Sequence, residues 1–233
     1  MMGKHASNGY ALIMFDNDQT LVDSIRISAK AATKAFWETY GIHCTLLEAY
    51  EGGMTVKEAL RNGCRKKGVS AEECERKLDD AARNFQRTLV EYSLHEKSVT
   101  PLAGAAKLLG ELRTSKAKVL VVTGNPVGAA EATLHITGLD KFVDFVIGGD
   151  FSPSKADCIS KAIVKANMDW GSPSRIVFVG DSVIEAKVCK EVGVPFVGIA
   201  TGFDSKAALK KAGAKAVFAD LRETKKILRE LLG

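Results

Sequence analysis

The chain has 233 residues, of which 46% are hydrophobic and 26% charged, and this composition excludes a largely disordered protein. A chain of this length buries about 70% of the surface that it exposes when unfolded, so it needs no disulfide or structural metal to fold. The net charge is only +5, and no basic stripe interleaves with aromatic residues, which argues against nucleic-acid binding.

The first predicted strand, Ala11–Phe15, runs directly into the segment Asp16-Asn17-Asp18-Gln19-Thr20. Residues i and i+2 of an extended chain face the same side, so Asp16 and Asp18 are expected to project together from the carboxyl end of the strand. Open parallel sheets bind ligands at that end. Two carboxylates held close together are costly unless a cation or a shared proton separates their charges. The alternative interpretation is an Asp/Asn-rich turn that only closes the strand.

Helical patterns alone fill the next stretch, from about Asp23 to Glu96. The longest pattern places one apolar stripe at helical spacing, which comprises Cys74, Leu78, Ala82, Phe85, Leu89 and Tyr92. A connection of this length exceeds an ordinary loop. The sequence therefore predicts a helical cap at residues 23–96, inserted into a core formed by residues 1–22 and 97–233.

After the insert, short β-branched runs alternate with helical patterns, which predicts a parallel sheet with helices on both faces. The runs are apolar throughout, as strands covered on both faces should be. The fold class is therefore α/β, with a doubly wound, Rossmann-like core. The predicted strands of this part are Lys118–Val122, Val143–Ile147, Arg175–Val179, Pro195–Ile199 and Ala216–Phe218.

Helix starts are marked by capping residues with an acid three positions later. Prolines after Thr100 and Asn125 are predicted to occupy first helical positions. The predicted caps with their acids are Thr45 with Glu48, Thr55 with Glu58, Ser70 with Glu73, Ser154 with Asp157, Ser182 with Glu185 and Asp220 with Glu223.

Further polar residues follow the later strands. Thr123-Gly124-Asn125 comes after the second of the core strands and combines a hydroxyl with a helix N-terminus, which favours anion binding; simple capping by Asn125 is the alternative. Asp181 follows the fourth core strand, and capping alone would also explain Glu185. Lys155 is the first residue of a predicted helix, where the dipole disfavours a cation. It is a candidate anion ligand, with a solvated surface lysine as the alternative.

This ordered set resembles the motifs of the haloacid dehalogenase superfamily. The family pattern is D-x-D-x-T, then Thr or Ser, then Lys, then G-D with an acid four residues later. The matching positions here are Asp16, Asp18, Thr20, Thr123, Lys155, Gly180, Asp181 and Glu185. The helical insert after the first motif resembles the branch that contains phosphoglycolate phosphatases.

The resemblance implies a magnesium-dependent phosphoric monoester hydrolase that acts on a small phosphorylated metabolite, such as phosphoglycolate or a sugar phosphate. It implies that Asp16 is the nucleophile that forms an aspartyl-phosphate and that Asp18 is the general acid and base. It assigns Mg²⁺ to Asp16, the carbonyl of Asp18 and Asp181. Phosphate binding is assigned to Thr123, Gly124, Asn125 and Lys155, with Ser182 and Glu185 in support.

Two positions depart from the family pattern. Gln19 stands where the family usually has glycine, and alanine follows Lys155. In the insert, Gly52-Gly53-Met54-Thr55 resembles the glycine-bearing loop with which caps of this branch close over the site. A plain helix–helix connection is the alternative for this loop.

Two other functions share these residues. A sugar-phosphate mutase uses the same groups, and a catalytically silent binding protein keeps the same fold. Because no apolar run approaches the ~20 residues of a membrane span and Met1 to Gly9 lacks a signal region, we expect a cytoplasmic protein, monomeric or homodimeric. Its five cysteines are odd in number and show no C-x-x-C spacing, so they are expected to be buried thiols in a reducing compartment.

Overall fold

The computed structural model describes residues 9–96 and 98–233. Residues 1–8, which hold most of the segment tested for a signal region, and residue 97, the predicted start of the second core segment, lie outside the described residues. None of the described helices is both long enough and apolar enough to cross a bilayer.

Six parallel strands form the central sheet, in the order β5-β4-β1-β6-β7-β8. A separate antiparallel pair, β2 and β3, joins the two chain segments that flank the insert. The strands are β1 (Ala11–Phe15), β2 (Val22–Asp23), β3 (Thr100–Pro101), β4 (Lys118–Val122), β5 (Phe145–Ile147), β6 (Arg175–Gly180), β7 (Phe196–Ile199) and β8 (Ala216–Phe218).

Ten α-helices surround or extend this sheet among the described residues. Four lie between β2 and β3, namely α1 (Ile25–Tyr40), α2 (Leu46–Ala49), α3 (Val56–Lys66) and α4 (Ala71–Glu96). The others are α5 (Ala105–Thr114), α6 (Val127–Thr137), α7 (Lys155–Trp170), α8 (Val183–Glu191), α9 (Lys206–Lys211) and α10 (Thr224–Leu232). The α/β fold class with a doubly wound parallel core is confirmed.

Side chains of β1 alternate between two hydrophobic cores. Ile13 and Phe15 pack on one face of the sheet, and Leu12 and Met14 pack on the other. Both faces are covered by helices, which is why the strand is apolar at every position.

The strand order reverses at β1. The chain proceeds from β1 to β4 and β5 on one side, then crosses to β6, which pairs with the other edge of β1. The crevice outside the carboxyl ends of strands at such a reversal is the usual ligand site of open α/β sheets. The residues that follow β1, β4 and β6 therefore come together.

The insert has a small core of its own, in which Phe36, Leu60 and Leu78 are buried. Other residues of α1 and α4, such as Ala31 and Leu89, join the hydrophobic core on one face of the sheet. The insert is therefore packed firmly on the α/β core, and the domain limits at residues 23 and 96 stay a prediction.

All five cysteines are free and buried. Cys44, Cys64 and Cys74 lie in the core of the insert, whereas Cys158 and Cys189 lie beneath one face of the sheet. The expectation of buried thiols is confirmed for all of them.

Most predicted helix caps are present, and two are wrong. The hydroxyls of Thr45, Thr55 and Ser182 form complete capping boxes. Asp220 instead accepts hydrogen bonds from Arg222, because α10 begins four residues later. Thr100 and Pro101 belong to β3, not to a helix start. Ser70 and Ser154 also cap their helices, and Pro126 lies at the N-cap of α6, one residue before the predicted position.

Candidate active site

Asp16 lies at the carboxyl end of β1, between the neighbouring strands. Its amide donates to the carbonyl of Val179 at 2.8 Å, which extends the pairing with β6 by one residue. The side chain is only 7% exposed, and its Oδ1 lies 2.5 Å from Lys155 Nζ. Burial raises the pKa of Asp16 to about 8, against the opposing effect of the Lys155 cation. A buried carboxylate beside a cation has the setting of an activated nucleophile or a metal ligand.

Lys155 is a buried cation and not a solvated surface lysine. It is the first residue of α7 and is 3% exposed. Its Nζ lies 2.5 Å from Asp16 and 2.9 Å from Glu185. These two carboxylates raise its pKa well above the ordinary value even though burial acts in the opposite direction. The ammonium group is therefore charged, and it offsets repulsion between two neighbouring acids.

Three buried carboxylates converge below the strand ends. Single oxygens of Asp16, Asp181 and Glu185 lie within 4.8 Å of one another, and the Asp181 carboxylate accepts a hydrogen bond from the Thr20 hydroxyl. Burial and the neighbouring acids raise the pKa of Asp181 well above its ordinary value. An oxygen-rich acidic cluster of this kind fits a hard divalent cation. The approach of Gly202 to Asp181 is so close that a Cβ there would lie 1.6 Å from Oδ2.

Glu185 combines the two roles that the sequence offered as alternatives. Its Oε2 accepts from the amides of Asp181 and Ser182, at 3.2 and 3.3 Å, as the acid of a capping box does. Its Oε1 simultaneously pairs with Lys155. The start of α8 therefore fixes the position of the lysine.

Asp18 is held by three neighbouring side chains. It accepts hydrogen bonds from Ser24, from Asn125 at 2.7 Å and from Asn17 at 3.4 Å. Burial raises its pKa, although these hydrogen bonds act to lower it. The side-chain amide of Asn125, predicted to bind phosphate, is directed at Asp18 in this structure. Ser24 was not predicted, because nothing in its sequence setting distinguishes it from an ordinary helix cap.

The residues after β4 connect the core to the insert. Thr123 is buried, and its hydroxyl accepts a hydrogen bond from the Asn125 amide at 3.1 Å. The carbonyl of Gly124 accepts from the Val56 amide at 3.0 Å. A Cβ on Gly124 would lie 2.2 Å from the carbonyl oxygen of Met54, so only glycine allows this approach.

The loop Gly52-Gly53-Met54-Thr55 contacts the core as well as linking two helices. Gly53 has φ of +80° and its amide donates to the Tyr50 hydroxyl at 3.1 Å. Gly52 lies so close to Ser182 that a Cβ added to the glycine would be 2.8 Å from the Cβ of Ser182. The loop thus lies against the start of α8, next to the acidic cluster.

A cavity of about 320 Å³ lies between the strand ends and the insert. We call its core side the floor, which includes Asp16, Asp18, Thr123, Gly124, Asn125, Asp181 and Ser182. We call its insert side the roof, which is formed by α1 to α4 and the loop before α3. Most of the predicted site residues line this space, and the exceptions are Gly53, Thr55, Lys155 and Glu185. Lys155 and Glu185 lie behind the floor.

Gln19 adopts φ of +59°, alone among the described non-glycine residues in having a positive φ. Its carbonyl accepts a hydrogen bond from Thr201, and its side chain donates to Asp23 at 3.0 Å. The usual glycine of the family would adopt this left-handed conformation without strain. Gln19 therefore holds a conformation that favours glycine.

The comparisons with known proteins agree with this geometry. The model of the haloacid dehalogenase-like hydrolase family matches residues 13–199. A phosphoglycolate phosphatase of Pseudomonas syringae pv. tomato is 29% identical over 216 residues, which cover 91% of this chain and 77% of the relative.

Solved structures share the fold at lower identity. A predicted phosphatase from Clostridium acetobutylicum aligns over 94% of this chain and 99% of its own, with a TM-score of 0.74 and 22% identity. CbbY from Rhodobacter sphaeroides in complex with phosphate aligns over 92% of this chain and 96% of its own, with a TM-score of 0.72 and 20% identity. At these identities the likeness concerns the fold alone.

Proposed function

The chain belongs to the haloacid dehalogenase-like hydrolase family, and from this premise we propose that it hydrolyses a small phosphate monoester through an aspartyl-phosphate on Asp16. It is a phosphoric monoester hydrolase, in keeping with relatives named phosphoglycolate phosphatase. The observation that carries the proposal is the buried Asp16 carboxylate, paired with Lys155 at the edge of the cavity beneath the insert.

In the proposed first step, a carboxylate oxygen of Asp16 attacks phosphorus and the bond from phosphorus to the ester oxygen breaks. Asp18 gives its proton to the departing oxygen, and the raised pKa of its buried carboxyl group supports this role. Ser24 and Asn125 orient the acid through their hydrogen bonds. In the second step Asp18, now ionised, takes a proton from the water that hydrolyses the aspartyl-phosphate.

A divalent cation, which we propose is Mg²⁺, fits the oxygen donors of the floor. Asp16, Asp181 and the carbonyl of Asp18 would hold it, and Glu185 would support the set through Lys155. When bound, the cation offsets the repulsion between the phosphate and the carboxylates. The buried acids support this assignment, because a cluster with a single lysine is left with excess negative charge.

Charge on the phosphoryl oxygens needs stabilisation in the transition state. We propose that the Thr123 hydroxyl, the Gly124 amide and the Lys155 ammonium supply it. Asn125 contributes through Asp18, and the Ser182 hydroxyl supports the floor by capping α8.

The proposal is tested by measuring free phosphate released from a panel of small monoesters, with 2-phosphoglycolate and sugar phosphates included. We expect release with Mg²⁺, none in excess EDTA, and recovery when Mg²⁺ is returned. Full turnover in EDTA would contradict the metal site. Release of isomer, in place of phosphate, from a hexose 1-phosphate would indicate a mutase.

The cavity also limits substrate size, because a space of about 320 Å³ admits a metabolite but not a protein segment. A phosphopeptide should therefore be cleaved far more slowly than a small ester. Equal rates on both would contradict a cap that closes over the substrate.

A further inference from the structure

We propose that the preferred substrate has an uncharged, mainly apolar leaving group that carries one hydroxyl, and that Ser28 binds this hydroxyl. The proposal rests on the function proposed above and names the substrate class for the same cavity. It is carried by the chemistry of the roof, which differs from that of the floor.

The roof is apolar over most of its surface. Helices α1 to α4 contribute aliphatic and aromatic side chains, among them Ala32, Phe36, Leu46, Val56, Leu60 and Phe85. These groups stabilise apolar surface removed from water at about 25 cal/mol per Å². These side chains provide no hydrogen bond and no charge to a charged or polyhydroxylated leaving group.

No lysine or arginine lines the cavity among the described residues, and its charged residues are all acids. The cations of α1, such as Arg26 and Lys34, line a separate groove on the outer side of that helix. Lys155 lies behind the floor and is bound to two carboxylates. In the proposed reaction the charges of Lys155 and Mg²⁺ are directed at the phosphoryl group. A carboxylate under the roof would therefore be buried without a cationic partner of its own, which is strongly unfavourable.

Ser28 is the exception in the roof. It lies on α1, is 8% exposed and lines the cavity. Its hydroxyl has no hydrogen-bond partner in the structure. A buried hydroxyl without a partner costs about 1–3 kcal/mol, so this group indicates that a ligand supplies the missing hydrogen bond.

Among the described residues that line the roof, the other polar side chains already have partners, and Glu51 is paired with Lys66 at 3.9 Å. Ser24 donates to Asp18, and the Tyr50 hydroxyl accepts from Gly53. A hexose carries several hydroxyls and would leave most of them unpaired under this roof. One hydroxyl, placed at Ser28, matches what the roof offers.

The first test compares isobutyl phosphate with 2-phosphoglycolate, because the two leaving groups have the same branched shape and differ in the charged carboxylate. We expect kcat/KM to be at least tenfold higher for isobutyl phosphate, and glucose 6-phosphate to be poorer still. Equal or better use of 2-phosphoglycolate would overturn the inference and leave the phosphatase proposal intact. Absence of phosphate release from every ester would instead overturn the phosphatase proposal.

The second test concerns Ser28 itself. The variant Ser28→Ala should lower kcat/KM for 3-hydroxy-2-methylpropyl phosphate about fivefold, the value of one ordinary hydrogen bond, and leave isobutyl phosphate unchanged. Ser160→Ala, on an exposed face of α7, is the matched control and should change neither. An equal loss on both esters, or no loss on either, would overturn the assignment of Ser28.

Discussion

The floor and the roof of the cavity are built on different principles. Carboxylates of the floor are bound by side chains of neighbouring elements: Lys155, at the start of α7, holds Asp16, and Asn125, after β4, holds Asp18. The roof is mainly hydrophobic, and Ser28 is the unpartnered buried hydroxyl among the described residues that line it. We therefore propose that the floor carries out the reaction, whereas the roof selects the leaving group.

The largest effect is expected from breaking the floor at Asp16. The variant Asp16→Asn removes the proposed nucleophile, and no other group is placed to accept the phosphoryl group. We expect turnover to fall more than about a hundredfold, a loss of ~3 kcal/mol or more in barrier. Phosphate release with saturating Mg²⁺ measures it, and Asp169→Asn, on the exposed end of α7, should retain full activity. Retention of a hundredth or more of the activity would show that Asp16 is not the nucleophile.

A second prediction concerns the contact between floor and roof at Gly124 and Met54. In Gly124→Ala, the new Cβ would meet the Met54 carbonyl at 2.2 Å, which should push the insert away from the strand ends. We expect kcat/KM to fall by about tenfold to a hundredfold, because the displaced insert would hold the substrate out of line with Asp16. Hydrogen exchange at the Val56 amide, which donates to Gly124, should also become faster.

The control for this variant is Gly110→Ala in α5, where a Cβ makes only an ordinary 3.7 Å contact. Alanine should be tolerated there or stabilise the helix by about 0.5–1 kcal/mol. If exchange at Val56 stayed unchanged in Gly124→Ala, the contact between Gly124 and Met54 would not hold the insert in place.

A third prediction concerns how much the acids of the floor lower the free energy of unfolding when no metal is bound. The pKa values of Asp16 and Asp181 are raised in the folded protein, that of Asp16 to about 8. The folded state therefore holds more protons than the unfolded state above pH ~4, and its stability should fall as pH rises from about 4 to 8. Urea unfolding in EDTA at pH 5 and pH 8 measures this slope.

The matched variant is Asp181→Asn, which removes one of the titrating acids. Its stability in EDTA should depend less on pH than that of the wild type. Stability of the wild type that rises between pH 5 and pH 8 would contradict the raised pKa values of Asp16 and Asp181.

The smallest effect is expected at Gln19, in the turn between floor and roof. Gln19→Gly should relieve the strain of the positive φ, and Gln19→Ala should keep it. Both variants lose the hydrogen bond to Asp23. We expect the glycine variant to exceed the alanine variant by about 1 kcal/mol in free energy of unfolding, measured by urea denaturation. Equal stabilities would mean that the turn relaxes in solution.

The strands differ in how well the sequence predicted them. Strands β1, β4 and β8 have the predicted bounds, because each is a short apolar run between turn residues. β5 begins two residues later than predicted, since Asp140–Phe142 forms a 3₁₀ turn before it. The pair β2 and β3 was missed because two residues leave no pattern.

The floor could be predicted because each of its residues ends a strand, and strand ends meet at one edge. The pairing of Lys155 with Glu185 was missed, since a capping box already explained the glutamate. The roof could not be predicted. Ser28 is one serine within a helix, and its position at the cavity depends on how α1 packs against the core, which is a long-range property of the fold.

The five buried cysteines can serve as natural probes of local opening, because they are distributed over both parts of the molecule. Three of these cysteines lie in the core of the insert, and two lie in the core on one face of the sheet. Burial raises the pKa of Cys64 to about 12 and raises that of Cys158 as well, so reaction with a thiol reagent requires local opening. The order in which the five thiols are alkylated, followed peptide by peptide under native conditions, therefore distinguishes opening of the insert alone from opening of the whole molecule, without the introduction of any label.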